Sequence, residues 1–263
     1  MTKIIIQGAG VVGQATEMFI KNYNPQLNII FNDPPKEVFA DNADWVAAEY
    51  LIVCVNTNLD ESLPIPENST ANVDAAINEA LEKGFRGKIV LRSTSSVESV
   101  QKLIEFFTTD LIVWPEYIRE ATWQFDALKP AMVVLGGDAK EFSDLFSSFP
   151  GMIVITEPLE AMIAKLSTNT FLAMKVIFAN QVSQLCESQG ASYNVVQQLL
   201  EHEGRLGTSH WTVPGSDGQP GFGGKCFPKD VRTFEASLVK SGIHVDLIRA
   251  ITTINNTLRS NGN

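Results

Sequence analysis

Short apolar runs alternate with amphipathic stretches through the first half of the chain. The runs Lys3–Gln7, Asn28–Asn32, Tyr50–Val55, Lys88–Arg92, Leu111–Val113, Ala131–Leu135 and Met152–Ile155 predict strands. Between them, Val12–Lys21, Val73–Lys83, Ser96–Phe107 and Lys140–Phe149 carry helical periodicity. This alternation predicts βαβ units around a parallel sheet, and continuous runs such as Leu51-Ile52-Val53-Cys54-Val55 predict burial on both faces. After about residue 156 the strand pattern stops. Pro158 suits the first turn of a long helix and Gly190 its end, with Met162, Leu166, Phe171, Met174 and Phe178 on its buried sides. Tyr193–Glu201 predicts another helix, a Gly- and Pro-rich loop spans Gly207–Gly224, and helices follow over Asp230–Ser241 and Asp246–Arg259.

One turn in this pattern carries chemistry. Gly8-Ala9-Gly10-Val11-Val12-Gly13 follows the first strand directly and opens the first helix. The spacing serves a tight turn, close approach of backbone to a pyrophosphate, and close helix–strand packing, with helix amides facing the phosphates. Asp33 ends the second strand about twenty residues later, where a carboxylate accepts hydrogen bonds from an adenosine ribose. No arginine follows Asp33 closely and its charge repels a 2′-phosphate, so NAD is expected over NADP. The fold class is therefore α/β: a Rossmann-like, doubly wound, mostly parallel sheet over residues 1–156, followed by a smaller all-helical domain over 157–263.

A formal charge of −10 argues against nucleic acid as a partner, because phosphate tracking needs clustered cations. No run approaches the ~18 uninterrupted apolar residues of a membrane span, and no signal segment precedes the first strand. A cytoplasmic protein is expected. Cys54, Cys186 and Cys226 are scattered, which suits reduced thiols better than disulfides or a zinc site. His202, His210 and His244 lack metal-ligand spacing, so no metal is expected. Cys54 and Cys186 read as small core hydrophobes. Cys226 differs, because Gly221-Phe222-Gly223-Gly224-Lys225 precedes it and Phe227-Pro228-Lys229-Asp230 follows. A helix N-terminus with Lys225 and Lys229 nearby favours thiolate there.

This segment resembles the active-site loop of the UDP-glucose/GDP-mannose dehydrogenase family, G-[FY]-G-G-x-C-F-P-K-D. The run from Glu160 to Lys175, with Lys165 and Asn169 inside it, resembles the family's E-A-x-x-x-K-L-x-x-N-x-F-L-A-x-K helix. Arg92-Ser93-Thr94 and Trp114-Pro115-Glu116-Tyr117-Ile118-Arg119-Glu120 agree as well; Trp114 and Ala121 replace the first and last residues of N-P-E-F-L-x-E-G.

The resemblance implies a four-electron, NAD-dependent oxidation of a nucleotide sugar, UDP-glucose to UDP-glucuronate, a precursor for polysaccharide biosynthesis. Cys226 would be the nucleophile, with Lys165, Asn169 and Asp230 at the reacting carbon, Thr94 positioning water, and Glu116 the base for hydrolysis. It places the cofactor against Gly8, Gly10, Val11, Val12, Gly13, Asp33, Val55, Thr57, Thr94, Glu120 and Lys229. It places the sugar nucleotide against Glu116, Tyr117, Ile118, Lys165, Asn169, Arg205, Trp211 and the amides of Gly221, Phe222, Gly223 and Gly224. Trp211 reads equally well as a residue closing the core. Family members continue into a third α/β domain beyond the position of Asn263 and pair through nearby helices, so a shortened form and a homodimer are expected. Other readings of the same residues are a dehydrogenase of GDP-mannose or a UDP-N-acetylhexosamine, a non-catalytic NAD or nucleotide-sugar binding module, and a two-electron hydroxyacid dehydrogenase. The last needs no thiol.

Overall fold

Apolar runs that can be buried on both faces assemble first into a sheet. The structure, a computed structural model, describes residues 1–261, without the side chains of Glu120 and Asn261. Its strands are β1 (Lys3–Gln7), β2 (Asn28–Asn32), β3 (Tyr50–Val53), β4 (Leu59–Asp60), β5 (Glu67–Asn68), β6 (Lys88–Leu91), β7 (Leu111–Val113), β8 (Met132–Gly136) and β9 (Met152–Thr156). The helices are α1 (Val11–Tyr23), α2 (Asn42–Ala47), α3 (Ala71–Glu82), α4 (Val97–Phe107), α5 (Trp123–Leu128), α6 (Lys140–Asp144), α7 (Pro158–Ser188), α8 (Tyr193–His202), α9 (Phe227–Lys240) and α10 (Asp246–Asn261).

The chain divides into two compact units. The first comprises Met1–Asp60 and Asn68–Lys165, the second Glu61–Glu67 and Leu166–Asn263. The division falls inside α7, not at its start as the loss of strand pattern suggested.

In the first unit, seven strands lie in the order β2-β1-β3-β6-β7-β8-β9. All pairings are parallel except β7 with β8. Chain order reverses between β1 and β3, which makes the carboxyl ends of these two strands a switch point, the place where open α/β sheets hold ligands. Ile4, Ile5 and Ile6 are fully buried, as expected for a central strand covered on both faces. On one face Ile4, Ile6, Ile52, Val90 and Ile112 pack against Phe19, Trp114, Phe142 and Phe146. Tilted and edge-on ring pairs, such as Phe19 with Trp114 at 5.5 Å, fix that layer.

Two short helices, α2 and α5, arise where the apolar pattern is silent. The first has a local cause, since the Asp41 and Asp44 side chains cap each other's backbone amides. Helix α9 starts at Phe227 rather than Asp230, because Pro228 in the first turn keeps its missing N–H among groups that need no intrahelical partner.

In the second unit Ala173, Ile177, Phe222, Val231, Ile248, Ile251 and Leu258 form the core. Phe171 and Phe178, expected on the buried sides of α7, are more than half exposed. At 31 residues α7 is long enough to cross a bilayer, but half of its most apolar window is buried. Lys165, Asn169, Thr170 and Asn180 are buried along it, which marks a core helix of a folded protein.

Gly13 sets the distance between α1 and β1: a Cβ there would collide with the carbonyl oxygen of Gly8. Gly13→Ala is therefore expected to lower stability by about 1–3 kcal/mol, the usual cost of forced overpacking. Urea unfolding of the variant against the parent measures it.

Candidate functional site

The glycine turn leaves open space beside an uncapped helix N-terminus. Gly8 has φ +99 and its Cβ would lie 2.5 Å from the Cys54 carbonyl oxygen, so only glycine lets the turn press against β3. At Gly10 a Cβ would meet nothing within 4 Å. Helix α1 begins at the next residue with no side-chain cap and no acidic residue in its first turn. The first-turn amides thus face open space, which suits a pyrophosphate.

Asp33 Oδ2 accepts a hydrogen bond from the Ala9 amide at 2.7 Å and so ties the end of β2 to this turn. Lys36 Nζ lies 3.7 Å from Asp33 Oδ2 and donates to the Ala9 carbonyl. The local charge at Asp33 is therefore partly cancelled, a cation that the sequence reading passed over because it looked only for arginine.

Next along the sheet edge, the Thr94 carbonyl accepts from Thr57 Oγ1 at 2.7 Å and Asn68 Nδ2 at 3.0 Å. Val55 offers its carbonyl to Ser93 Oγ. Glu116 and Lys165, both inside the first unit, form a buried ion pair with Oε1 and Nζ 3.3 Å apart. Glu116 Oε2 accepts the Ile118 amide at 2.8 Å, and Lys165 Nζ stands 5.4 Å from the centre of the Tyr117 ring. A buried ammonium persists only where it is paired, so this carboxylate is a structural necessity for Lys165 as well as a candidate base.

In the second unit Asp230 is buried in the first turn of α9. Its Oδ2 accepts from Asn169 Nδ2 at 2.6 Å and its Oδ1 pairs with Lys229 Nζ at 3.0 Å. Lys229, expected to bias the neighbouring thiol and meet the cofactor, thus has Asp230 as a direct counter-ion. Cys226 is the residue just before α9 and is exposed. Lys165 and Asn169 are one turn apart on α7, hence on one face of it.

The glycine run before Cys226 is only partly available to a ligand. The Gly221 amide donates to Asn180 Oδ1 at 3.1 Å and the Phe222 amide to Asn255 Oδ1 at 2.7 Å. Those two amides, expected to face the substrate, instead satisfy the fold. Gly223 and Gly224 keep amides without such partners among the described residues. Asn180 and Asn255 were not foreseen: each reads as an ordinary polar position of an amphipathic helix.

Arg205 is exposed and pairs with Glu203. Trp211 is buried; its Nε1 donates to the Gly207 carbonyl, and Lys175 Nζ sits 4.5 Å over its ring, so it takes the core role of its two readings. The Glu120 side chain lies outside the described residues. No metal-holding cluster occurs among them.

Burial separates the thiols. Desolvation pushes Cys54 up to about 11, and Cys186 is also buried. At mildly alkaline pH a disulfide reagent should therefore titrate about one thiol per native chain, Cys226, and three only after denaturation. Rapid labelling of Cys54 in the native protein would contradict this packing.

Residues 159–257 match the model of the UDP-glucose/GDP-mannose dehydrogenase family, central domain. The chain is similar to a UDP-glucose 6-dehydrogenase of Streptococcus pneumoniae, 30% identical over 248 residues, which cover 88% of this chain and 59% of that protein. It spans less than two thirds of that relative's length. Among solved structures, a UDP-glucose dehydrogenase from Pyrobaculum islandicum superposes with a TM-score of 0.84 at 21% identity, over 98% of this chain and 68% of that one. A 3-hydroxyisobutyrate dehydrogenase of Mycobacterium tuberculosis shares the fold with a TM-score of 0.77 at 17% identity, covering 100% of this chain and 95% of that one. Over residues 159–257, which hold the glycine–cysteine loop and the Lys165–Asn169 helix, the chain carries the central domain of the UDP-glucose/GDP-mannose dehydrogenase family.

Proposed function

We propose that the protein is an NAD-dependent nucleotide-sugar dehydrogenase that oxidises the C6 alcohol of UDP-glucose to the carboxylate of UDP-glucuronate in the cytoplasm. The observation that carries this reading is the exposed Cys226 at the head of α9, in a loop otherwise tied down by Asn180 and Asn255. A covalent nucleophile is what a four-electron oxidation needs to retain its aldehyde between two oxidations.

The uncapped start of α1 and the open space at Gly10 support cofactor binding at this turn, where Asp33 at the end of β2 would meet the ribose. NAD, when bound, accepts one hydride in each oxidation. The first removes a proton and a hydride from the alcohol to give the aldehyde. The Cys226 thiolate then forms a C–S bond to the aldehyde carbon, and its oxygen takes a proton. Loss of a second hydride and that proton leaves a thioester. Water adds, the C–S bond breaks, and carboxylate, thiolate and two protons are released. Lys165, ion-paired with Glu116, stabilises the negative oxygen in each step. Asn169, oriented by Asp230, donates to the same oxygen. Glu116 takes the proton of the hydrolytic water, which Thr94 positions. The alternative family substrates, GDP-mannose and UDP-N-acetylhexosamines, would use the same groups.

Purified protein with NAD and UDP-glucose should release about two NADH per sugar consumed. Cys226→Ser should form at most about one equivalent and accumulate no acid. A second reading, two-electron oxidation of a hydroxyacid, is favoured by the shared fold of the mycobacterial structure over nearly its whole length. It requires one NADH per substrate and full turnover in Cys226→Ser. NAD binding without turnover of any of these substrates points to the binding module.

The homodimer is the second part of the proposal. Phe171, Phe178 and Leu185 recur every seven residues on α7 and are 58%, 52% and 61% exposed, with Val195 and Leu199 likewise open on α8. A self-complementary apolar face of this kind suits a two-fold pair. Sedimentation should give a dimer for the parent and a monomer for Phe178→Glu. A monomeric parent overturns it.

A further inference from the structure

A cavity of the first unit lies away from the glycine turn, between α1, the β6 and β7 ends and α5. Its volume is about 410 Å³, within the range of small-molecule sites, and it adjoins the far side of the loop that bears Glu116. Phe19, Trp114, Tyr117 and Phe125 give it aromatic walls, and Arg92 lies at its base.

Arg92 is only 6% exposed. Its Nε donates to Thr16 Oγ1 at 2.7 Å, its Nη1 donates to the carbonyls of Trp114 and Pro115, and its guanidinium stacks 4.0 Å from the Trp114 ring centre. Its Nη2 makes no hydrogen bond, and no carboxylate stands within ion-pair distance of it among the described residues. The carboxylate whose field it feels, Glu116, is paired with Lys165. A largely buried cation whose one unused donor edge opens to a cavity is matched by an anion.

The charge balance of the cavity points the same way. The other charged groups lining the cavity are Arg119, Asp126 and Lys129; Arg119 and Asp126 neutralise each other at 2.6 Å, so Arg92 and Lys129 leave a net positive cavity in a chain of charge −10.

We propose that this cavity is a binding site for a small aromatic carboxylate, whose ring lies among Trp114, Phe19, Tyr117 and Phe125 and whose carboxylate takes the idle edge of Arg92. The aromatic walls select a planar apolar body, because offset and edge-on ring contacts add to burial. The guanidinium selects a carboxylate over a neutral group, because charge-assisted hydrogen bonds in a desolvated site are the strong ones. Tyr117 and Ile118 are also expected against the sugar nucleotide, whereas Arg92, Phe19 and Phe125 belong to this cavity alone.

Fluorine NMR of para-fluorobenzoate with the full chain tests it, with para-fluorobenzamide as the uncharged control. The acid should bind at least about ten-fold more tightly than the amide, as one charged hydrogen bond in a dry site implies. Arg92→Met should abolish that preference. Since Arg92 also fastens Trp114, Phe125→Ala at the exposed rim provides a variant outside the core, and it should weaken both probes by about three-fold or more. Equal binding of acid and amide, no binding of either, or binding that survives Arg92→Met and is lost in Lys165→Met each overturns the proposal.

Discussion

Polar groups taken out of water need partners, and along α7 two of them find acids. Lys165 is held at the end of the first unit by Glu116, and Asn169, one turn on, is held in the second by Asp230. Each of these groups would be expensive to bury alone. The loop from Trp114 to Ile118 is therefore shaped around its carboxylate, which also accepts its own loop's amide at Ile118. The first turn of α9 is likewise fixed by Asp230, with Lys229 on its other oxygen. Cys226 immediately precedes that turn, so the position of the thiol follows from the pairing of an acid four residues later.

The sequence was most legible where burial alone decides structure. β1, β2 and β7 run over the residues that their apolar patterns predict, each built on a run of consecutive apolar residues. α2 and α5 were not legible from periodicity. Six residues hold less than two turns, and in α2 the cause is the reciprocal cap of Asp41 and Asp44, a local signal that hydrophobic counting ignores. The long helix was placed well, but Phe171 and Phe178 were assigned to its interior since apolar residues are spread around it. A helix with core on more than one side gives no single stripe to read.

The site divided in the same way. Motif residues such as Lys165, Asn169, Glu116 and Asp230 are found buried and in polar contact, the condition under which such groups keep a fixed geometry. What the motifs could not show is which atoms remain available. The amides of Gly221 and Phe222 are taken by Asn180 and Asn255, and Lys229 is taken by Asp230. Arg92 read as the polar end of a strand, while its environment of Trp114, Thr16 and two carbonyls comes from residues distant in sequence. Lys36 escaped because a spacing rule tuned to arginine says nothing about a lysine reaching back to Asp33.

The division of the compact units within α7 bears on how the chain can be taken apart. A fragment ending at residue 156 would keep Glu116 and discard Lys165, leaving an acid facing an empty slot. It would also lose Pro158, whose backbone lies so close to Gly136 that a Cβ there would meet it at 2.6 Å. The bare end of β8 would then be wetted. Dissection of this protein into its two compact units is better attempted beyond the first turns of α7, after Lys165.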